Sequence, residues 1–174
     1  KFELKENLKW KAHNAFKHDF NEQNIVPISY RPFDDRFIYY HDNFIERSRK
    51  EIMKNMLKSN LTLIILRQVK ASESYQHVLL SKNITESTLV SNKTSEIDYI
   101  LPLYLYADDS SKIPNLKKEI IDEIEKTVGK VTPEDIFDYI YAVLHSPSYR
   151  EKYKEFLKID FPRIPYPKDK KSFT

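Results

Sequence analysis

The run Leu61-Thr62-Leu63-Ile64-Ile65-Leu66 constrains this chain more than any other stretch. It shows no polar alternation and is too short for a packed helix, so it reads as a central strand covered on both faces. Such a strand needs neighbours in a sheet and other elements packed over it. The run therefore predicts a mixed α/β (α+β) fold, with a small mixed or antiparallel sheet built around it and helices following. The flanking sequence supplies partners. Ile25 to Tyr30 and Phe37 to Tyr40 are rich in β-formers, and Tyr75 to Ser81 and Ile97 to Tyr106 are further strand candidates. Pro102 argues for an edge or a bulge in the last of these. Ile84 to Ser91 reads as loop or a short strand.

Beyond a turn at Asp108-Asp109-Ser110-Ser111 the apolar spacing becomes helical. Leu116, Ile120, Ile121, Ile124 and Val128 form one stripe, and Gly129 follows as a stop. Thr132-Pro133-Glu134-Asp135 opens the next helix with a cap, a proline at the first position and acids in the first turn. Ile136, Ile140, Val143 and Leu144 make its buried face. Ser146-Pro147 restarts a helix by the same logic, carrying Tyr149, Tyr153, Phe156 and Leu157. Pro162, Pro165 and Pro167 force the last stretch to be extended. Upstream, an amphipathic helix is expected from about Asn7, with Trp10 packing it onto the body or onto a preceding domain, and a second from Asn43 to Leu57 with Asn43 as its cap. The whole reads as a single domain over 1–174: an N-terminal linker helix over 1–24, a sheet part over 25–106, and a helical part with an extended tail over 107–167.

Several function classes drop out. The chain of 174 residues has one glycine, so a Gly-rich phosphate cradle or dinucleotide loop is excluded. It has no cysteine, hence no thiolate nucleophile and no disulfide framework. No apolar run is long enough to span a membrane and no signal peptide opens the chain, so a cytoplasmic location is expected. It begins at Lys1 and not at methionine, which reads as a fragment of a larger protein or a processed product. His13 and His18, five apart, do not stack on one helical face, and no metal site and no cofactor are expected. His145, at a helix junction, reads as a cap or core residue.

Two segments carry side chains suited to nucleic acid. Ser29 to Tyr40 packs Arg31, Arg36, Asp34, Asp35 and five aromatic rings into an expected antiparallel corner, with Asp34-Asp35 as its turn. One reading is structural, each arginine pairing with an aspartate; the other turns a guanidinium fork toward a phosphate or a base edge. The second segment, Arg67 to Ser74, is a polar loop projected from the central strand, where recognition residues tend to sit. The basic excess lies in the N-terminal part: residues 1–70 hold 14 Lys and Arg against 9 Asp and Glu.

Three stretches together resemble a known family. They are Tyr30-Arg-Pro-Phe-Asp-Asp-Arg-Phe-Ile-Tyr-Tyr40, Leu101-Pro-Leu-Tyr-Leu-Tyr106, and the long motif from Pro133 to Tyr153 continued by Phe156 to Pro167. The chain resembles, from about Trp10 to Pro167, the C-terminal specificity region of Type ISP restriction–modification enzymes. Those join a nuclease, a helicase-like ATPase, an adenine methyltransferase and a target-recognition domain in one polypeptide. The resemblance implies a non-enzymatic module that reads a DNA site for its methyltransferase and motor. Double-stranded DNA and the methyltransferase and helicase domains of the same polypeptide are the implied partners. The methyltransferase loop, methyl-donor glycine motif and nucleotide-binding loop are absent from this sequence. The long C-terminal motif could instead dock the module on its methyltransferase.

Within that reading Arg67, Gln68, Lys70, Ser72 and Ser74 are the candidates for base readout, because Arg and Gln suit bidentate pairing with guanine and adenine. Arg47, Lys50 and Lys54, on the expected basic helix, are candidates for phosphates, with Arg31 and Arg36 holding the backbone or bracing the loop. Two alternatives stand beside it. One is a coupling domain that does not bind DNA. The other is a small metal-dependent nuclease, disfavoured because no acid–acid–lysine series is present and Asp34 and Asp35 sit beside arginines.

Overall fold

The computed structural model describes residues 14, 16–69, 75–91, 93 and 96–173. Among these residues eight strands run in order: β1 Ile25–Arg31, β2 Asp34–Tyr39, β3 Thr62–Leu66, β4 Leu79–Ser81, β5 Ile84–Thr85, β6 Asp98–Pro102, β7 Tyr104–Tyr106 and β8 Lys112–Pro114. A short helix α1, Lys50–Met53, lies between β2 and β3. After the strands come α2 Lys118–Val128, α3 Pro133–His145, α4 Pro147–Lys152, α5 Lys154–Leu157 and α6 Lys170–Phe173. This is the mixed α/β fold with a C-terminal helical segment that the sequence leads one to expect.

The strands form three small sheets where a single one was expected. Their orders are β2-β1-β5, β4-β3-β6 and β7-β8. β3 is central in the second sheet, antiparallel to both neighbours, and all its residues are buried, Leu66 completely. Leu63 and Ile65 enter a core with Leu103, Phe137, Leu144, Tyr149 and Leu157, so the helices cover this sheet. A second core joins Ile28 and Ile84 to Met53 and Met56, and a third joins Ile124 and Val128 to Ile136.

Pro102 closes the edge strand β6, where its missing N–H costs the ladder nothing. The expected strand from Ile97 to Tyr106 therefore breaks at Leu103, whose amide turns to Leu61 O at 2.8 Å. β7 is then held by side-chain amides. Asn60 accepts from Tyr104 N at 3.2 Å and donates to Tyr104 O at 2.8 Å, and Asn55 accepts from Tyr106 N at 2.8 Å. Of the expected strand Tyr75 to Ser81, only Leu79–Ser81 is regular.

The expected helix from Asn43 to Leu57 is reduced to α1. Local polar groups compete with it. Asp42 accepts from Ser48 Oγ at 2.7 Å and pairs with Lys50, and the Tyr40 hydroxyl donates to Ser48 O. These bonds fold 41–49 back against the end of β2. Arg49 then enters α1 from the left-handed region, φ 49°, taking the cap position expected of Asn43, whose backbone N–H donates to His41 Nδ1 at 3.2 Å and whose side-chain amide donates to Asn14 O at 3.3 Å. The expected helix around Trp10 lies outside the described residues; Glu22–Asn24 form one 3-10 turn.

The C-terminal signals act as expected. Gly129, φ 90°, ends α2, and Thr132 and Asp135 make a reciprocal capping box at α3. The Ser146 side chain caps α4. The proline-rich tail runs extended and is tied to the helices by Tyr139 Oη to Pro165 O at 3.0 Å and Tyr149 Oη to Arg163 O at 2.9 Å. His145 is partly buried and bonds Val78 O at 3.2 Å, a structural role. No helix among the described residues is long and apolar enough to cross a membrane.

Candidate nucleic-acid interface

β1 and β2 form a hairpin whose tip gathers charge and aromatic surface. Arg31 pairs with Asp34 across the strands, so the turn consists of Pro32 and Phe33 alone. This corrects the expectation that Asp34-Asp35 form the turn; both lie in β2. Pro32 presets φ at the first turn position, and Phe33 takes φ 63° at the second. The register shifts between Ser29 and Arg31, leaving Tyr30 as the unpaired residue of a bulge. Both guanidinium groups stack on its ring, each 4.1 Å from the centroid. The structure thus brings Arg31 and Arg36 together, through an aromatic platform.

Acids hold the two arginines in place. Arg36 grips Asp34 through Nε at 3.0 and 3.1 Å and Nη2 at 2.7 Å, and these hydrogen bonds keep the Asp34 carboxyl below the usual range. The reading in which each arginine pairs with an aspartate of the corner fails at Arg31. Its Nη1 donates to Glu86 Oε2 at 2.8 Å, just past β5. Burial pushes the Glu86 carboxyl up, but the Thr88 amide and hydroxyl, with Arg31 and Ser87, outweigh it and the carboxyl sits low. Ser29 donates to Asp35 at 2.6 Å and bonds Ser81 Oγ at 2.8 Å, tying the hairpin to β4.

Arg47, Lys50 and Lys54 do not share one helix face. Arg47 lies in the preceding loop, 3.5 Å from Glu46; Lys50 and Lys54 lie in and just after α1. Lys54 is 3.9 Å from Asp108, and all three side chains are more than half exposed. Lys50 and Lys54 line a cleft of about 460 Å³ with Asn24, Tyr40, His41, Glu51 and Leu57.

Arg67 and Gln68 are exposed directly beyond buried β3. Arg67 Nε lies 3.5 Å from Asp160 Oδ1 and its guanidinium 5.8 Å from the Phe161 ring, while Val69 N bonds Lys158 O at 3.3 Å. The tail after α5 thus anchors the start of this loop. Lys70, Ser72 and Ser74 lie outside the described residues. Among the described residues no hydrogen bond or ion pair joins Arg67 or Gln68 to the hairpin. No group of three or more His, Cys, Asp or Glu among the described residues could hold a metal ion.

The described residues thus form a mixed α/β module with exposed cationic side chains on loops beside a buried central strand. The chain belongs to the Type ISP C-terminal specificity domain family, which it matches over residues 1–174. No curated protein sequence matches it. Among solved structures it resembles DrdV, determined by cryoEM as a complex with DNA, at 30% identity and TM-score 0.73 over 86% of this chain and 14% of that one. It resembles a nuclease-deletion mutant of the Type ISP restriction–modification enzyme LlaGI, in complex with a DNA substrate mimic. There identity is 25% and TM-score 0.65, over 85% of this chain and 12% of that one. It shares its fold with the ATP-dependent Type ISP enzyme LlaBIII bound to DNA, at 21% identity and TM-score 0.73, over 94% of this chain and 11% of that one. The chain thus spans less than a sixth of each of these polypeptides.

Proposed function

We propose that the chain reads a double-stranded DNA site on behalf of a methyltransferase and a helicase–nuclease carried by the same cytoplasmic polypeptide, with no chemistry of its own. The observation that carries this is the family match along the whole chain, supported by relatives whose structures were solved on DNA. Base readout falls to the loop that opens with Arg67 and Gln68 and continues through Lys70, Ser72 and Ser74. Arg67 and Gln68 are exposed at the end of β3, which is buried along its whole length, and Arg67 is steadied by Asp160. Arg47, Lys50 and Lys54 contact phosphates. Arg31 and Arg36, already engaged by Glu86 and Asp34, brace the hairpin and offer their remaining N–H groups to the backbone.

The test is a split between two kinds of variant in a methyltransferase polypeptide carrying this chain. Arg67→Ala or Gln68→Ala should lose ~1–3 kcal/mol at the cognate site and relax discrimination at one base pair. Lys50→Ala or Lys54→Ala should weaken all sequences alike and lower the salt slope by about one. Methylation patterns unchanged by the loop variants would move base readout away from Arg67 and Gln68.

A further inference from the structure

We propose that Phe33 is a wedge that enters between stacked base pairs of duplex DNA, delivered by the β1–β2 hairpin. The inference rests on the DNA-reading function above and adds a contact of a different kind.

Phe33 is fully exposed, with a relative accessibility of 101%. It also occupies the second position of a two-residue turn at φ 63°, a region that glycine enters without steric cost and a phenylalanine does not. The turn therefore carries two disadvantages at once, apolar surface in water and a left-handed backbone. An outlier of this kind at an exposed tip points to use by a partner.

The finger behind the tip is rigid. Tyr30 is clasped by Arg31 and Arg36, these are held by Glu86 and Asp34, and Ser29 links Asp35 to Ser81. Proteins that kink a duplex push an apolar side chain, Phe among them, into a base step with arginines beside it. The local charge fits entry between bases more than attraction to phosphates. Arg31 and Arg36 are more than offset by Asp34, Asp35 and Glu86, so the tip offers a duplex its apolar ring and not a net positive charge. Phosphate attraction comes from Arg47, Lys50 and Lys54 at the other end of the hairpin, where 41–49 fold against Tyr40, so the tip reaches a base step roughly 20 Å along β1 from the phosphates they hold.

Inserting a ring between base pairs unwinds the helix, and that is the readout. Closed circular plasmid is relaxed by a topoisomerase in the presence of the 174-residue chain, then stripped of protein. Binding is followed in parallel by fluorescence anisotropy on a linear duplex at low salt. The expected result is a linking-number decrease that grows with bound chain. Phe33→Ala and Phe33→Gly should bind within about threefold of wild type, because phosphates dominate affinity, yet leave the linking number unchanged. Phe33→Leu, still apolar and bulky, should retain part of the unwinding. The Gly variant relieves the turn, so its thermal midpoint should equal or exceed wild type, and its loss of unwinding is then not misfolding. Wild-type chain that binds without unwinding, or Phe33→Ala that unwinds as wild type, overturns the wedge alone. Failure of wild type to bind the duplex at all overturns the DNA-reading function and the wedge with it.

Discussion

Single residues set both the reach of the hairpin and the pH response of the fold. Tyr30 matters because a bulge frees its ring for two guanidiniums, and Phe33 because only two residues close the turn. Asp98 is the residue with the clearest titration consequence. It is 7% exposed; Oδ2 accepts from Val90 N at 3.2 Å, and Oδ1 has no partner among the described residues. Burial pushes its carboxyl up to about 6, with Glu86 and Glu96 adding to the rise against the backbone N–H bonds of Val90 and Leu89. The native state therefore binds a proton more tightly than the unfolded chain between about pH 4 and 6. This contribution to stability is present below the unfolded value and is lost as pH rises through about 6. The loss is on the order of 3 kcal/mol. Urea melts of Asp98→Asn should show a shallower fall in stability from pH 4.5 to 7 than wild type. Parallel curves would mean that Asp98 does not carry this slope.

Elements were legible where their signals are local. The stripe Ile120, Ile124, Val128, the stop at Gly129 and the caps at Thr132 and Ser146 act within a few residues, and α2 to α4 lie where they point. The run from Leu61 is likewise self-contained, and β3 is buried along its length. The helix expected at Asn43–Leu57 was not a matter of periodicity, because Asp42 and Tyr40 capture Ser48 and Lys50 before a helix can start. In the candidate site, the nearness of Arg31 and Arg36 follows from short-range spacing. Glu86 lies 55 residues from Arg31, and nothing in the local sequence announces a pairing that needs β5 beside β1. The capping box at α3 offers an element-scale test. Thr132→Ala removes the bond from Asp135 N to Thr132 Oγ1 at 3.1 Å and half of the reciprocal pair. It should cost about 1 kcal/mol in a urea melt, without moving the DNA affinity of the chain. A change near zero would show that Asp135 alone holds that terminus.

At the scale of the molecule, β3 links the parts. The helices and the tail pack over it, and the tail reaches Arg67 through Asp160. The segment that carries the long family motif thereby holds Arg67 and Val69 at the start of the loop proposed for base readout, and on that proposal the motif serves recognition without a contact of its own. The basic excess of residues 1–70 falls mainly on 41–70, around α1 and the start of that loop, while the hairpin balances its two arginines with two aspartates, so on the proposed reading the charge that draws DNA lies beside the loop that reads it in the sequence. The central claim is that this chain by itself engages duplex DNA through phosphates. Its most direct test is an anisotropy titration of the 174-residue chain with a fluorescent duplex at a series of salt concentrations. The account predicts a dissociation constant of ~10⁻⁴ to 10⁻⁶ M near physiological salt, tightening linearly on a log–log plot as salt falls. An affinity that does not respond to salt, or no binding even at about 50 mM salt, would contradict it and leave a coupling domain in its place.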